Sequence, residues 1–201
     1  MGKIAMLGAA LFLILSGGLF AASPAEEVAL ENFFSKTAAK FEAASLVENR
    51  REMEKKIGEI SDEILDKVWI SNFILGKNRR ELTNEEIKNF TDLYSNFIIK
   101  NYIKALLIIK RDNYRITSIE DDPRQQNVYF INVLLKYEGR DIKNSFRVIK
   151  KDEKYFITDI ITEGVSFISI QRTDVNSRIN NIGFNNFLDE IKSKLEKDGD
   201  E

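Results

Sequence analysis

The chain has 201 residues, with 30 Lys and Arg against 32 Asp and Glu, and contains neither His nor Cys. At 43% hydrophobic and 31% charged it is ordinary globular material for a single domain. The missing side chains exclude Ser-His-Asp and Cys-His nucleophiles, thiolate or imidazole metal sites and CxxC redox pairs, so no metal or other cofactor is expected. A formal charge of −2 with interspersed signs gives no electrostatic footprint for nucleic acid.

The N-terminus opens with Lys3 and an apolar run from Ile4 to Leu15. Then come Ser16-Gly17-Gly18 and the small residues around Ala21, Ala22, Ser23 and Ala25. Basic start, apolar middle and small-residue exit are the order of a secretory signal, so residues 1–22 are read as a cleaved signal peptide, with the cut between 21 and 25. Removing Lys3 leaves 29 basic against 32 acidic residues, a charge of −3. With no Cys at the site, a lipid-anchored lipoprotein is excluded; the alternative is an uncleaved anchor, since Ile4 to Ala22 approaches the roughly 20 residues that span a bilayer. The folded part is expected to be one domain over residues 26–197.

From Glu26, Leu30, Phe33, Phe34, Thr37 and Phe41 form one helical stripe. Glu48 to Lys56 reads as a solvated helix end or connector. A second stripe, Ile57, Ile60, Ile64 and Val68, runs on through Trp69 to Leu75 and stops at Gly76, a helix C-terminal residue. Thr83-Asn84-Glu85-Glu86 is a capping box. It opens the longest helix, whose face of Ile87, Phe90, Tyr94, Phe97, Ile98 and Ile109 is widened by Leu93, Ile99 and Ile103, so that it must be covered on several sides. After Arg111 the period changes to 2. Strands are expected at Tyr114 to Glu120, Tyr129 to Tyr137, Ile142 to Val148 and Tyr155 to Ile161, with Val165 and Phe167 on a fifth. The turns between them are too short for parallel crossovers. Arg172 to Ile182 leads into a terminal helix carrying Phe184, Phe187, Leu188, Ile191 and Leu195. The expected fold is α+β, with N-terminal helices on a curved antiparallel sheet of four to five strands and a C-terminal helix.

Asp121-Asp122 and Glu85-Glu86 are the obvious carboxylate pairs for acid/base chemistry, but a turn and a first helical turn favour acids anyway. Asp159 falls on the otherwise apolar inner face of the fourth strand, where a buried carboxylate needs partners.

The second half of the chain carries Ile157-Thr158-Asp159-Ile160-Ile161-Thr162-Glu163-Gly164-Val165-Ser166-Phe167-Ile168, with Arg172 beyond it. Before it stand Ile74-Leu75-Gly76, Thr83, Phe90, Tyr102 and Leu106, and after it Gly183-Phe184 and Leu188. In this order the chain resembles the MlaC family, also called the toluene-tolerance family, of periplasmic phospholipid-binding proteins. It departs from the family pattern at Tyr155, Thr158, Arg79, Glu86, Gln171 and Val175, as a distant member would.

The resemblance implies a non-enzymatic carrier that shuttles phospholipid across the periplasm and maintains outer-membrane lipid asymmetry. Its partners would be phospholipid, an outer-membrane lipoprotein complex (MlaA-like) and an inner-membrane ABC transporter with an MCE-domain subunit (MlaD-like). The acyl chains would lie between helices and sheet. Candidate lining residues are Phe73, Phe97, Tyr102 and Leu106 from the helices and Val133, Leu135, Ile157, Ile161, Val165 and Phe167 from the sheet. Arg172 is a candidate for head-group or partner contact, or for an ion pair with Asp159 or Glu163. Burying one CH₂ is worth about 0.8 kcal/mol, so two chains of some 15 carbons require roughly 20 to 25 kcal/mol of dry surface. A cavity near or above the upper end of the usual ~300 to 1,000 Å³ range would suit them. The competing readings are an envelope adaptor with a filled core and an isomerase-like enzyme using Asp159 with a Tyr.

Overall fold

The computed structural model describes residues 22–106, 109, 110 and 112–197, apart from the side chains of 102–106 and 197. The proposed signal segment lies almost wholly outside them. Four helices come first: α1 (Pro24–Ser45), α2 (Arg50–Ile64), α3 (Lys67–Leu75) and α4 (Asn84–Leu106), with a 3-10 segment at Gly76–Glu81. Strands β1 (Tyr114–Asp121), β2 (Val128–Tyr137), β3 (Arg140–Lys151), β4 (Lys154–Thr162) and β5 (Val165–Ser166) follow, then α5 (Phe167–Ile182) and α6 (Phe184–Lys197). The sheet is an antiparallel meander in the order β1-β2-β3-β4-β5.

Local chemistry sets these boundaries. The Ser23 hydroxyl accepts from Glu26 N–H at 3.3 Å with Pro24 just inside α1, and the Asn49 carbonyl oxygen accepts from Glu52 N–H at 3.0 Å to start α2. The capping box forms as expected: Thr83 Oγ1 accepts from Glu86 N–H at 3.2 Å, while Glu86 Oε2 accepts from Thr83 N–H at 2.8 Å. In the three two-residue hairpin loops, those after β2, β3 and β4, both central residues have positive φ: Glu138 and Gly139, Asp152 and Glu153, Glu163 and Gly164. That left-handed pair matches the twist of the flanking strands.

The charged stretch from Glu48 is the solvated N-terminal end of α2, one of the two readings expected for it, while two other expectations are corrected. The stripe from Ile57 to Leu75 is two helices, because Leu65 leaves the helix to pair with Ile157 at the edge of β4, and the Asp66 carboxylate then caps α3 through Trp69 N–H at 3.0 Å. Val68 consequently points to solvent. Lastly, β5 has two residues only, and Phe167 opens α5 after the Ser166 cap, giving two C-terminal helices.

Two hydrophobic cores result. In the first, Leu30, Phe34 and Phe41 of α1 and Ile57, Ile60 and Ile64 of α2 pack on Ile131, Val133, Phe146, Val148 and Ile157 of the sheet, joined by Ile99 of α4. In the second, Ile74 and Leu75 of α3, Phe90 and Tyr94 of α4, Val175 of α5 and Phe187, Leu188 and Ile191 of α6 form an all-helical cluster. Helix α4 belongs to both, which is why its apolar face is so wide.

Candidate lipid-binding cavity

An apolar cavity of about 410 Å³ lies at the seam between the cores. Helix α3 lines it with Lys67, Ile70, Ser71 and Ile74, the i, i+3, i+4, i+7 stripe of one helix face. Tyr94, Ser95, Ile98 and Ile99 come from α4. Val133 and Leu135 of β2 and Ile142, Asn144 and Phe146 of β3 form the floor, each set alternating along its strand. Thr162 at one end is exposed, and Ile142 and Asn144 beside it are half-buried, so this end reaches water.

A bulge in β4 decides which of its residues face inward. Arg147 pairs with Asp159 but Val148 with Ile157, so Thr158 is the extra residue. Ile157 and Ile160 therefore both face the helices and the cavity. Beyond a bulge the alternation inverts, and this is why Ile161 and Asp159, expected on the inner face by simple period 2, fall in the opposite phase.

Asp159 is buried and turns toward the start of α5, at the end of the cavity. Its carboxylate accepts from Ser166 Oγ at 2.6 Å and from Ile168 N–H at 3.2 Å. Burial pushes its carboxyl above the usual range, opposed by these hydrogen bonds and by Arg147. It works as a strut holding α5 to β4.

Of the residues expected to line the site, Val133, Leu135, Ile157 and Phe167 do line the cavity. Phe73, Phe97, Ile161 and Val165 are not in its wall, and the side chains of Tyr102 and Leu106 lie outside the described residues. Phe73 stacks on Trp69 at 5.3 Å between ring centres, one turn apart on α3. Phe97 lies 6.0 Å from Tyr94, at the helical core, with the Lys194 ammonium 5.8 Å from its ring centre. Val165 is exposed.

Arg172 has neither expected carboxylate as its contact. Its guanidinium lies 4.9 Å above the Phe73 ring and against Gly76, while the Glu163 carboxylate accepts from Lys143 N–H at 2.7 Å. On the other side Arg147 covers Trp69 at 5.0 Å, giving an Arg147-Trp69-Phe73-Arg172 ladder that ties β3, α3 and α5 together beside the cavity. The aliphatic wall was missed in sequence because Ile70, Ile74, Ile98 and Ile99 read equally well as filled core. Their signal is two isoleucine-bearing stripes on neighbouring helices, Ile70 and Ile74 on α3 and Ile98 and Ile99 on α4.

The volume lies in the lower half of the ~300 to 1,000 Å³ usual for ligand sites, smaller than the upper-end cavity expected for two acyl chains. Among the described residues no helix is long and apolar enough to cross a membrane.

The fold has a solved counterpart. A phospholipid-binding protein from Ralstonia solanacearum, determined in complex with a phospholipid, superposes with a TM-score of 0.68 at 15% identity, covering 84% of this chain and 97% of that one. At this identity the likeness is one of fold. No curated protein matches the chain at a significant level. The family model described as MlaC protein matches residues 32–193, from the third turn of α1 into the C-terminal half of α6, and the chain therefore belongs to the MlaC family.

Proposed function

We propose that this protein is a periplasmic phospholipid carrier, exported by a cleaved signal peptide, that moves phospholipid between the outer and inner membranes and so maintains outer-membrane asymmetry. The observation that carries the reading is the apolar cavity at the seam of the two cores, in a chain of the MlaC family whose structural neighbour was solved with a phospholipid bound. An aliphatic wall shields methylenes from water at about 0.8 kcal/mol each, while the end beside Thr162 and Asn144 leaves a polar head group in solvent. In this reading the cargo arrives from an MlaA-like outer-membrane complex or an MlaD-bearing inner-membrane transporter and leaves to the other.

The carrier reading gives Asp159 a structural task at the end of the cavity, where its carboxylate accepts from Ser166 Oγ and Ile168 N–H and so joins β4 to α5. The test is native mass spectrometry with organic extraction of the mature protein, purified from a Gram-negative periplasm without detergent. Phospholipid near one per chain is expected, and Val133→Phe, which fills the cavity from its floor, should cut that occupancy by more than half while leaving the fold intact. A clean apo mass, unchanged after incubation with lipid vesicles, would sink the carrier and favour an envelope adaptor.

A further inference from the structure

We infer that the outer side of α3 and the 3-10 segment after it form a docking strip for an anionic bilayer surface, built from Trp69 and Phe73 with Arg172, Lys77, Arg79 and Arg80. The inference rests on the carrier reading and deepens it by assigning the face on which the carrier meets a membrane.

The strip begins at the two stacked rings, which are half-buried, with Arg147 over one and Arg172 over the other. Arg172 also lies against Gly76, the first residue of the 3-10 segment. Residues three apart eclipse in a 3-10 helix, so Arg79 stands one turn beyond Gly76 on the side where Arg172 lies, and Lys77 and Arg80 share the neighbouring side. Asn78 turns inward instead. Its Nδ2 donates to Asn176 Oδ1 at 2.9 Å, and Asn176 Nδ2 donates to the Ile74 carbonyl at 2.7 Å. These bonds fasten the segment and the end of α3 to α5, so the cations project from a fixed backbone.

The charges are uncompensated. Lys77, Arg79, Arg80 and Arg172 are exposed, and among the described residues none of them forms an ion pair, not even with the adjoining exposed Glu81. Asp66, at the other end of α3, is taken by Lys151. A chain with 29 basic against 32 acidic residues once Lys3 is removed thus keeps one surface where four cations adjoin two aromatic rings. Aromatic rings settle at the level of lipid head groups, and each basic residue near an anionic leaflet raises partition about fivefold. The position also favours a bilayer over an acidic protein. The adjoining side of the same helix, with Ile70 and Ile74, lines the cavity, so docking here sets the cavity wall beside the membrane.

The experiment floats mature protein, purified without detergent, with vesicles of phosphatidylcholine alone or of equal parts phosphatidylcholine and phosphatidylglycerol, at low and high salt. Two variants are compared after circular dichroism has checked their folding. One, Lys77→Ser/Arg79→Ser/Arg80→Ser, removes three cations of the strip. The other, Lys36→Ser/Arg115→Ser/Arg140→Ser, removes three exposed cations of α1, β1 and β3. The two carry the same net charge, so their difference reports position. Wild type is expected to prefer the anionic vesicles by at least about tenfold and to come off at high salt. The strip variant should lose at least about tenfold of that partition and the other variant less than about threefold. Equal partition of wild type onto both vesicles, or equal losses in the two variants, overturns the strip; a wild type that binds neither vesicle leaves its cations to an acidic protein instead. Native mass spectrometry of the same sample keeps the two readings apart: bound phospholipid leaves the carrier standing when the strip fails, and a clean apo mass sinks the carrier.

Discussion

The two cores share helix α4 yet are filled differently. On the helical side Phe90 and Tyr94 stack at 4.9 Å and 14°, and Phe184 and Phe187 of α6 close around them. On the sheet side α4 presents Ile98 and Ile99, facing Val133, Leu135 and Phe146 across a gap. Flat rings reach far from the backbone and interlock, whereas β-branched Ile and Val are short and stiff at χ1 and do not meet across the space between layers. The cavity and a smaller void beneath α1 and α2 both border the sheet-side core, and where α4 faces β2 across the larger one the opposed side chains are aliphatic.

The sharpest way to break that comparison is to truncate one residue of each kind on α4. Phe90 is fully buried, and Phe90→Ala is expected to cost about 3 to 5 kcal/mol. Ile99 already faces empty space, so Ile99→Ala should fall at or below about 2 kcal/mol, the low end for a buried aliphatic. Urea unfolding of both gives the difference directly. Equal losses would mean that the sheet side is packed as tightly as the helical side.

The same contrast explains what could be read from the sequence. Periodicity located α1, the stretch that holds α2 and α3, α4 and α6, though not α5 as a separate helix, and the hairpin turns located the meander, because both are short-range properties of the chain. The α2/α3 break was hidden because Leu65 leaves its helix for a partner, Ile157, more than ninety residues away. The inward face of β4 was hidden because a bulge adds one residue without marking the sequence, turning Ile160 in and Ile161 out. Of the aromatic candidates, Phe167 lines the cavity, whereas Phe73 and Phe97 pack on other rings and beside cations. Which of many isoleucines border a void depends on the separation of layers, a quantity no residue pattern records.

A second test addresses the seam itself. Gly76 ends α3 with φ of +56°, and a Cβ there would sit 3.0 Å from the Arg172 guanidinium. Gly76→Ala is expected to cost about 1 to 3 kcal/mol for the backbone alone, because its positive φ is combined with a ψ of −122°. It should also displace Arg172 from Phe73. In a double-mutant cycle Arg172→Ala should remove the steric part of the penalty and leave the backbone part, so the two losses will not add. Strict additivity would show that the arginine does not press on the turn, and that the ladder contributes nothing to joining the cores.

The smallest expected effect concerns how α1 is held to the sheet. Glu26 accepts from Tyr155 Oη at 2.5 Å and from Lys150 Nζ at 3.2 Å. Burial pushes its carboxyl up, but these two partners outweigh it and hold the group below the usual carboxylate range. A lowered folded-state value means that the clamp stabilises the protein above the ordinary carboxylate range and is lost as pH falls through the folded value. The counterpart on the helical side is Glu190, lowered by Arg178 and Lys194, but its side chain is 31% exposed against 18% for Glu26. Solvent screens the exposed pair more, so Glu26→Gln should flatten the acid limb of a stability-versus-pH curve more than Glu190→Gln does. Tyr155 supplies an independent optical readout. Burial and the hydrogen bond to Glu26 push its phenol up to about 12, and Glu26→Gln should bring it back toward 10 in an ultraviolet titration, because the anion that opposes its ionisation is gone. An unmoved tyrosine would mean that desolvation by the sheet-side core is the whole cause, and that α1 rests on apolar contact alone.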